Sequence, residues 1–474
     1  MMRRFVLAVL ASLLAGCMVG PDYKRPAVEV PVAFRYEDRD AKATANTEWW
    51  KQFQDPVLDA LIAEALANNK NVKIAVANIE QSAAVLVQAR SPLFPQFQYG
   101  GSAARERASE AGSVPLPSII ANPYSSYQVL ASASWEIDLW GRIRRLSESA
   151  QAQLFATEEA WHGVILSLVA SVASDYIQLL GLDEQLLVSK RTLETYAESV
   201  RLFEIRYKYG QVSMMNVEQA RSQYETAAAA IPQLESQIAQ TENALCILLG
   251  RNPGPVERGR TIYRLALPAV PAGLPSDVLA NRPDIRQAEQ SLIAANAQIG
   301  AAKALYYPTI SLTGAFGYAS ADLSNLFKGP ARVWNYAGAF TGPIFTGGAV
   351  TSQVKQAEAA RNAALFSYEL TIQSAFADAE NTLVARSKLT DQVQAQERLV
   401  RANREYVRLS RLQFEGGYAP YSTVLQAEQQ LFPSELNYAQ YRAALFNSLV
   451  NIYKAMGGGW QVASGGNPGL PPKW

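Results

Sequence analysis

The chain carries one order of elements twice. Leu66 to Phe97, LANNKNVKIAVANIEQSAAVLVQARSPLFPQF, returns 213 positions later as Leu279 to Ile310, LANRPDIRQAEQSLIAANAQIGAAKALYYPTI, with Leu66/Leu279, Asn68/Asn281, Ala75/Ala288 and Pro95/Pro308 in register. Tyr209 to Ala220 returns as Gly416 to Ala427 at an offset of 207, matching Gly210/Gly417, Val217/Val424 and Gln219/Gln426. Loops alone differ between the copies. A unit of about 200 residues is too long for a solenoid turn, so the chain is two copies of one multi-element module.

Each copy contains a rod. Arg142 to Tyr209 has no proline, is rich in Ala, Leu, Glu, Gln and Arg, and stops at Gly210. As one helix its 68 residues span roughly 100 Å. Val350 to Glu415 repeats the rod and stops at Gly416 and Gly417. A return helix follows each glycine turn, so each copy holds a long antiparallel helical hairpin. Pro232 and Pro433 fall inside the return helices, where a lost hydrogen bond and a clash predict a kink or a break.

Between the helices lie four segments of period two. In the first, Phe97, Tyr99, Gly101 and Ala103 alternate with polar or small residues; in the second, Val129, Ala131, Ala133, Trp135 and Ile137 alternate with Ser132, Ser134 and Glu136. Thr309 to Ser320 and Val333 to Thr341 repeat the pattern, with Phe316, Tyr318, Trp334, Tyr336 and Phe340 on the apolar face. Alternating segments of about ten residues with aromatics near their ends match transmembrane β-strands. An amphipathic hairpin packed on the helices fits the same pattern. In lipid, four strands cannot close a barrel, since known barrels begin at about eight strands and an open edge is not viable. Two chains would give eight strands and a plugged interior, three would give twelve and a pore.

The N-terminus favours the membrane reading. Arg3 and Arg4 precede the apolar run Phe5 to Leu14, followed by LLAGC ending at Cys17. The run is too short to cross a bilayer and reads as a signal peptide, residues 1–16. LLAGC resembles the bacterial lipobox, whose cysteine is acylated and becomes the new N-terminus, and Met18 in place of aspartate favours outer-membrane delivery. Several acyl chains on one residue suffice for stable anchoring.

Enzyme chemistry finds little support. Cys246 is the one other thiol, so no intrachain disulfide forms between mature-chain residues other than Cys17. His162 is the sole histidine, read as a packed or solvated helix residue, and no cluster offers a zinc site. GGGW near the end lacks the lysine and hydroxyl residue of a phosphate loop and reads as a helix terminator. A net charge of +1 gives no case for nucleic acid. No catalytic, metal or cofactor residue is assigned; the one attached group expected is lipid on Cys17.

A series of motifs in order, GPDYKRP after the lipobox, EWWKQFQDPVLDALI, WEIDLWGRIRR, NRPDIRQAE, YYPTISLTGAFG, GPIFTGG and NIYKAMGGGW, resembles the TolC-type outer-membrane efflux proteins in their OprM/NodT lipoprotein branch. The resemblance covers nearly the whole mature chain. It implies an α+β membrane protein: a homotrimer with a 12-stranded transmembrane β-barrel, four strands per chain, continued by a long periplasmic α-helical barrel with a mixed equatorial domain. Implied partners are a periplasmic adaptor (membrane fusion protein), an inner-membrane RND-type transporter and outer-membrane lipid. The expected organisation is an acylated N-terminus and equatorial segment (17–60), a first repeat (61–252, hairpin 96–138), an equatorial linker (253–275), a second repeat (276–456, hairpin 309–343) and a tail (457–474).

The resemblance also implies a gate where the hairpins converge at the periplasmic tip, ringed by aspartates of the second-repeat turn. Here Ala419 and Gln426 stand at those positions, so both carboxylates are absent. Glu415 and Glu428 lie close enough to replace them, or belong to a solvated helix face. Tyr421 and Met214, on equivalent sides of the turns at Gly210 and at Gly416 and Gly417, either narrow the tip by bulk or pack between hairpins. The function expected is a passive exit duct for drugs or other small molecules, opened like an iris at its tip. The alternatives are a non-conducting, periplasm-spanning structural lipoprotein and, with no motif in its favour, an enzyme.

Overall fold

A computed structural model describes residues 18–31, 33–36, 48–109, 121–268, 270 and 275–460. The signal peptide, Cys17, part of the equatorial segment and the tail beyond Trp460 lie outside the described residues. The helices are α1 (Pro56–Asn68), α2 (Lys70–Arg90), α3 (Arg142–Lys208), α4 (Met214–Leu249), α5 (Pro275–Asn281), α6 (Pro283–Ala304), α7 (Ala349–Glu415) and α8 (Tyr421–Ala455). The strands are β1 (Gln96–Glu106), β2 (Tyr124–Ile137), β3 (Thr309–Ser320) and β4 (Arg332–Thr341). The chain divides into two compact units, one holding the sheet and formed by residues up to Ala27, Ile79–Ala156 and Ala288–Tyr368, the other formed by the remainder.

In the sheet unit the strands pair antiparallel in the order β1-β2-β3-β4, leaving β1 and β4 as open edges. The register sorts side chains by chemistry. Tyr99, Ala131, Phe316 and Trp334 stand in one row, and Phe97, Ala133, Gly314 and Tyr336 in the next row on the same face. The row between them, Gln98, Ser132, Ala315 and Asn335, belongs to the opposite face. Because side chains alternate along a strand, one face is mainly aromatic and aliphatic and the other mainly small and polar, with Leu130 and Val333 the large apolar residues of a single row on it. Phe97, Tyr99, Trp334 and Tyr336 are 67–94% exposed, so no described residue covers the aromatic face there.

The strands are tied to the helices by the arginines of WGRIRR. Asp138 caps α3 by accepting from the backbone N–H groups of Ile143 (3.0 Å) and Arg144 (2.9 Å). Arg142 makes a bidentate pair with Glu136. Arg145, 2% exposed at its side chain, donates to Asp22 and Glu148, both at 2.8 Å, and to the Val19 carbonyl, fixing the GPDYKRP segment on α3. Tyr307 of YYP stacks on Trp140 at 4.7 Å.

The second unit shows the duplication in its packing. Gly250, after α4, sits so close to Asn68 that a Cβ there would meet its carbonyl oxygen at 2.4 Å; Gly457, after α8, meets the Asn281 carbonyl in the same way at 2.8 Å. Both glycines are left-handed, φ +75 and +74, and Asn68 and Asn281 are the residues already matched in the repeat. Trp49 stacks on Tyr453 at 5.0 Å, and Asp55 accepts from the Tyr176 hydroxyl and the Arg260 N–H, each at 2.9 Å. His162 contacts Glu159 at 3.0 Å and lies 4.3 Å from the Trp460 ring, a packed helix residue.

Of the kink or break expected at the two prolines, the break does not occur. Both α4 and α8 run unbroken through Pro232 and Pro433. Around Pro433, Phe432 and Ser434 are buried and Gln396 donates to the Ser434 carbonyl at 2.9 Å, packing that supports α8 through the proline.

Candidate functional site

Each helical hairpin turns on a glycine that the backbone demands. At the first turn Gly210 has φ +73, with Gly210 N–H bonded to the Tyr207 carbonyl and Gln211 N–H to that of Arg206. At the second, Gly417 has φ +75, Gly417 N–H bonds to the Phe414 carbonyl and Tyr418 N–H to that of Gln413. These are paired helix-ending motifs in which a left-handed residue satisfies the last carbonyls. Gly416 has no such φ; a Cβ there would crowd the Tyr418 ring at 2.9 Å.

Tyr421 opens α8 and points into its own chain. Its ring lies 3.9 Å from that of Phe203 on α3 and 5.1 Å from that of Phe414 on α7, in a cluster with the repeated pair Val217 and Val424. It is 8% exposed, and burial pushes its phenol up to about 12. Arg206 covers the outer face of Phe414 at 5.0 Å. Of the two roles left open for Tyr421, packing between helices is where the structure places it. Met214, at the equivalent start of α4, is 44% exposed.

The two glutamates differ. Glu415 is exposed, as is Gln426, at the end of α7 and on α8 respectively. Glu428 is 4% exposed at its side chain and accepts from Arg411 of α7 at 2.6 Å. Its second oxygen is buried without a partner among the described residues, and desolvation raises its pKa, with Arg411 acting against the rise. The solvated face is therefore the setting of Glu415 and not of Glu428. Tyr196 donates to the Glu428 backbone carbonyl at 3.2 Å. Further along α8, Glu435 accepts from Arg404 at 2.7 Å and Arg191 at 3.3 Å.

Together these groups line a cavity of about 350 Å³ with three arginines and two glutamates. Arg411, Phe203 and Phe414 were not singled out in the sequence. The spacing of Arg411 before Gly417 is visible there, but its direction toward Glu428 depends on how α7 and α8 meet. The site holds ion pairs and aromatic packing, with no nucleophile and base in hydrogen-bond reach of each other.

The outer membrane efflux protein family matches residues 61–251 and again residues 274–458. The chain belongs to the outer membrane efflux protein family. It is 36% identical over 468 residues to the toluene efflux pump outer membrane protein TtgC of Pseudomonas putida, covering 97% of this chain and 96% of that protein. It is 33% identical over 458 residues to the cation efflux system protein CusC of Escherichia coli, covering 95% and 98%. Its fold superposes on the outer-membrane channel OprN with a TM-score of 0.86 at 29% identity, covering 94% of this chain and 100% of OprN. The efflux family sets its place in the outer membrane and its role in transport rather than catalysis. A strand pair followed by a long helical hairpin, present twice and joined in one four-stranded sheet, is the fold shared with the channel OprN.

Proposed function

We propose that this chain is the outer-membrane exit duct of a tripartite efflux pump, passively conducting small molecules delivered by a periplasmic adaptor and an inner-membrane RND-type transporter. Three copies pair β1 of one with β4 of the next, giving twelve strands with the aromatic face to lipid and the polar face to the lumen. The observation that carries this reading is the continuous sorting of chemistry across four strands whose two edges are open. Lipid on Cys17 adds an anchor in the inner leaflet of the outer membrane. Native mass spectrometry in detergent tests the assembly: three subunits are expected, and a monomer or dimer as the sole species refutes it.

Closure lies at the hairpin turns, and opening is an outward rotation of the second-repeat hairpin, residues 350–456. Exposed Glu415 and Met214 face neighbouring copies or the lumen, while Tyr421 and Glu428 act from inside, holding α8 against α3 and α7. Relatives named for toluene and for cations match this chain almost equally well. Cargo is therefore set by the pump and adaptor, and the duct selects by width and charge.

A non-conducting spacer remains the second reading. It accounts for the rods, but leaves a polar face on the sheet without a purpose.

A further inference from the structure

The charges on the four strands are sorted by sign as well as by face. Arg105 and Arg332 stand on the aromatic face, Arg332 in the row of Gly101, Val129 and Tyr318, and Arg105 two residues beyond Ala103. Glu106 and Glu136 stand on the polar face. No other charged residue lies in the strands.

Both arginines sit at the same end of the sheet, beside the β1–β2 and β3–β4 loops and away from the helices. Each lies eight residues from a phenylalanine at the opposite end of its strand, Phe97 on β1 and Phe340 on β4, which is about 27 Å of strand. That length brings a long cationic side chain, reaching outward, to the edge of an apolar band about 25 Å tall. Both are exposed, and neither side chain makes a hydrogen bond or ion pair with a described residue. A cation on the lipid side of a barrel is costly unless an anion meets it. Duplication did not put them there, since the position 213 residues after Arg105 is Tyr318.

The arginines occupy the two edge strands. On the trimer reading, on which this inference rests, β1 of one copy adjoins β4 of the next, so every seam between copies carries one Arg105 and one Arg332 on its lipid side at the outer rim. Arginine is suited to phosphate by its planar, multi-donor head. In the outer leaflet of this membrane the phosphates belong to the glucosamine headgroup of lipopolysaccharide. We propose that Arg105 and Arg332 of neighbouring copies form a phosphate-binding site for lipopolysaccharide at each of the three seams.

The test is native mass spectrometry of the full-length protein, titrated with hexa-acylated lipid A carrying two phosphates and with the same lipid dephosphorylated. Expected are up to three tightly held copies of the phosphorylated lipid per trimer. Weakening by about tenfold or more is expected in Arg105→Gln/Arg332→Gln, with recovery in Arg105→Lys/Arg332→Lys, and no competition from millimolar inorganic phosphate. Equal binding of both lipids by the wild type, or an unchanged double glutamine variant, overturns the site. Displacement by inorganic phosphate overturns the lipid in favour of a free anion. The same spectrum reports the subunit count, so a trimer that ignores lipid A defeats this inference alone, whereas a species other than a trimer defeats the seam and the assembly beneath it.

Discussion

Arg411 donates to Glu428 at 2.6 Å, with the carboxylate 4% and the guanidinium 45% exposed at their side chains. The pair joins α7 to α8 just behind the second turn, and one carboxylate oxygen is left without a described partner. Removing the arginine strands a buried carboxylate, whereas Glu428→Gln keeps shape and removes the charge. Arg411→Met is therefore expected to destabilise the tip by about 1–2 kcal/mol, a value discounted for the half-exposed guanidinium, and by more than Glu428→Gln does. Hydrogen exchange of residues 196–206 and 421–430 in both variants and the double variant measures the coupling; additive effects would show that the pair does not act as a unit.

Burial raises the pKa of Glu428 above the ordinary carboxylate value. A raised folded-state pKa means that the folded tip holds the proton more tightly than the unfolded one. The stabilisation is fully present below the ordinary carboxylate pKa and lost as pH rises through the raised value. Exchange at the tip is expected to slow as pH is lowered through that window, after correction for the intrinsic rate. In Glu428→Gln this dependence should flatten; an unchanged slope would assign it to another group.

Tyr421 tests the inner packing. Tyr421→Ala removes a ring held between Phe203 and Phe414 and is expected to cost about 3–5 kcal/mol locally, while Tyr421→Phe stays near wild type. Met214→Ala, at an exposed position, should fall within about 0.5 kcal/mol. Protease sensitivity of the turns ranks the three, and a Met214→Ala effect as large as that of Tyr421→Ala would reverse the assignment.

Much of this was legible in the sequence because it is periodic or repeated. The alternation of Phe97 and Tyr99, or Trp334 and Tyr336, marks a strand face without knowledge of its neighbours. Gly210 and Gly417 mark the turns because only a left-handed residue ends a helix that way. Arg145 is different: its burial depends on Asp22 and Val19, far away in the chain, and no local pattern announces it. Tyr421 is the same case, since a helix start does not say which side meets Phe203. The motifs that carry the family resemblance are largely joints, Arg142 to Glu136, Trp49 to Tyr453, Gly457 to Asn281, so they identify the fold better than they identify the gate. The continuity of α8 through Pro433 was not legible, because proline's local cost is visible in the sequence and the burial of Phe432 and Ser434 is not.

The sheet faces make a sharp contrast. Ala131→Arg, in the aromatic row near the middle of the strands, is expected to cost about 2–4 kcal/mol and impair assembly. Val129→Arg, one row nearer the outer rim and in the row that holds Arg332, should cost less, and Ser132→Arg, on the polar face, should assemble. Heat-resistant oligomer on gels reads all three; assembly of Ala131→Arg with failure of Ser132→Arg would exchange the faces.

For the anchor, Cys17→Ala is expected to abolish palmitate labelling and processing, with residual outer-membrane protein retained by the barrel. Metabolic labelling checks it, and equal label on wild type and variant would exclude acylation at Cys17.

Single-channel recording in planar bilayers goes most directly to the duct. Wild-type protein is expected to insert as a small, mostly shut conductance, and Tyr421→Ala, with its α8 loosened from Phe203, as a larger and longer-lived one. Glu415→Gln should chiefly change cation preference. If neither wild type nor Tyr421→Ala conducts although both insert as trimers, the chain is a spacer and not a duct; if Glu428→Gln or Glu415→Gln opens the pore while Tyr421→Ala does not, the closure rests on charge and not on packing.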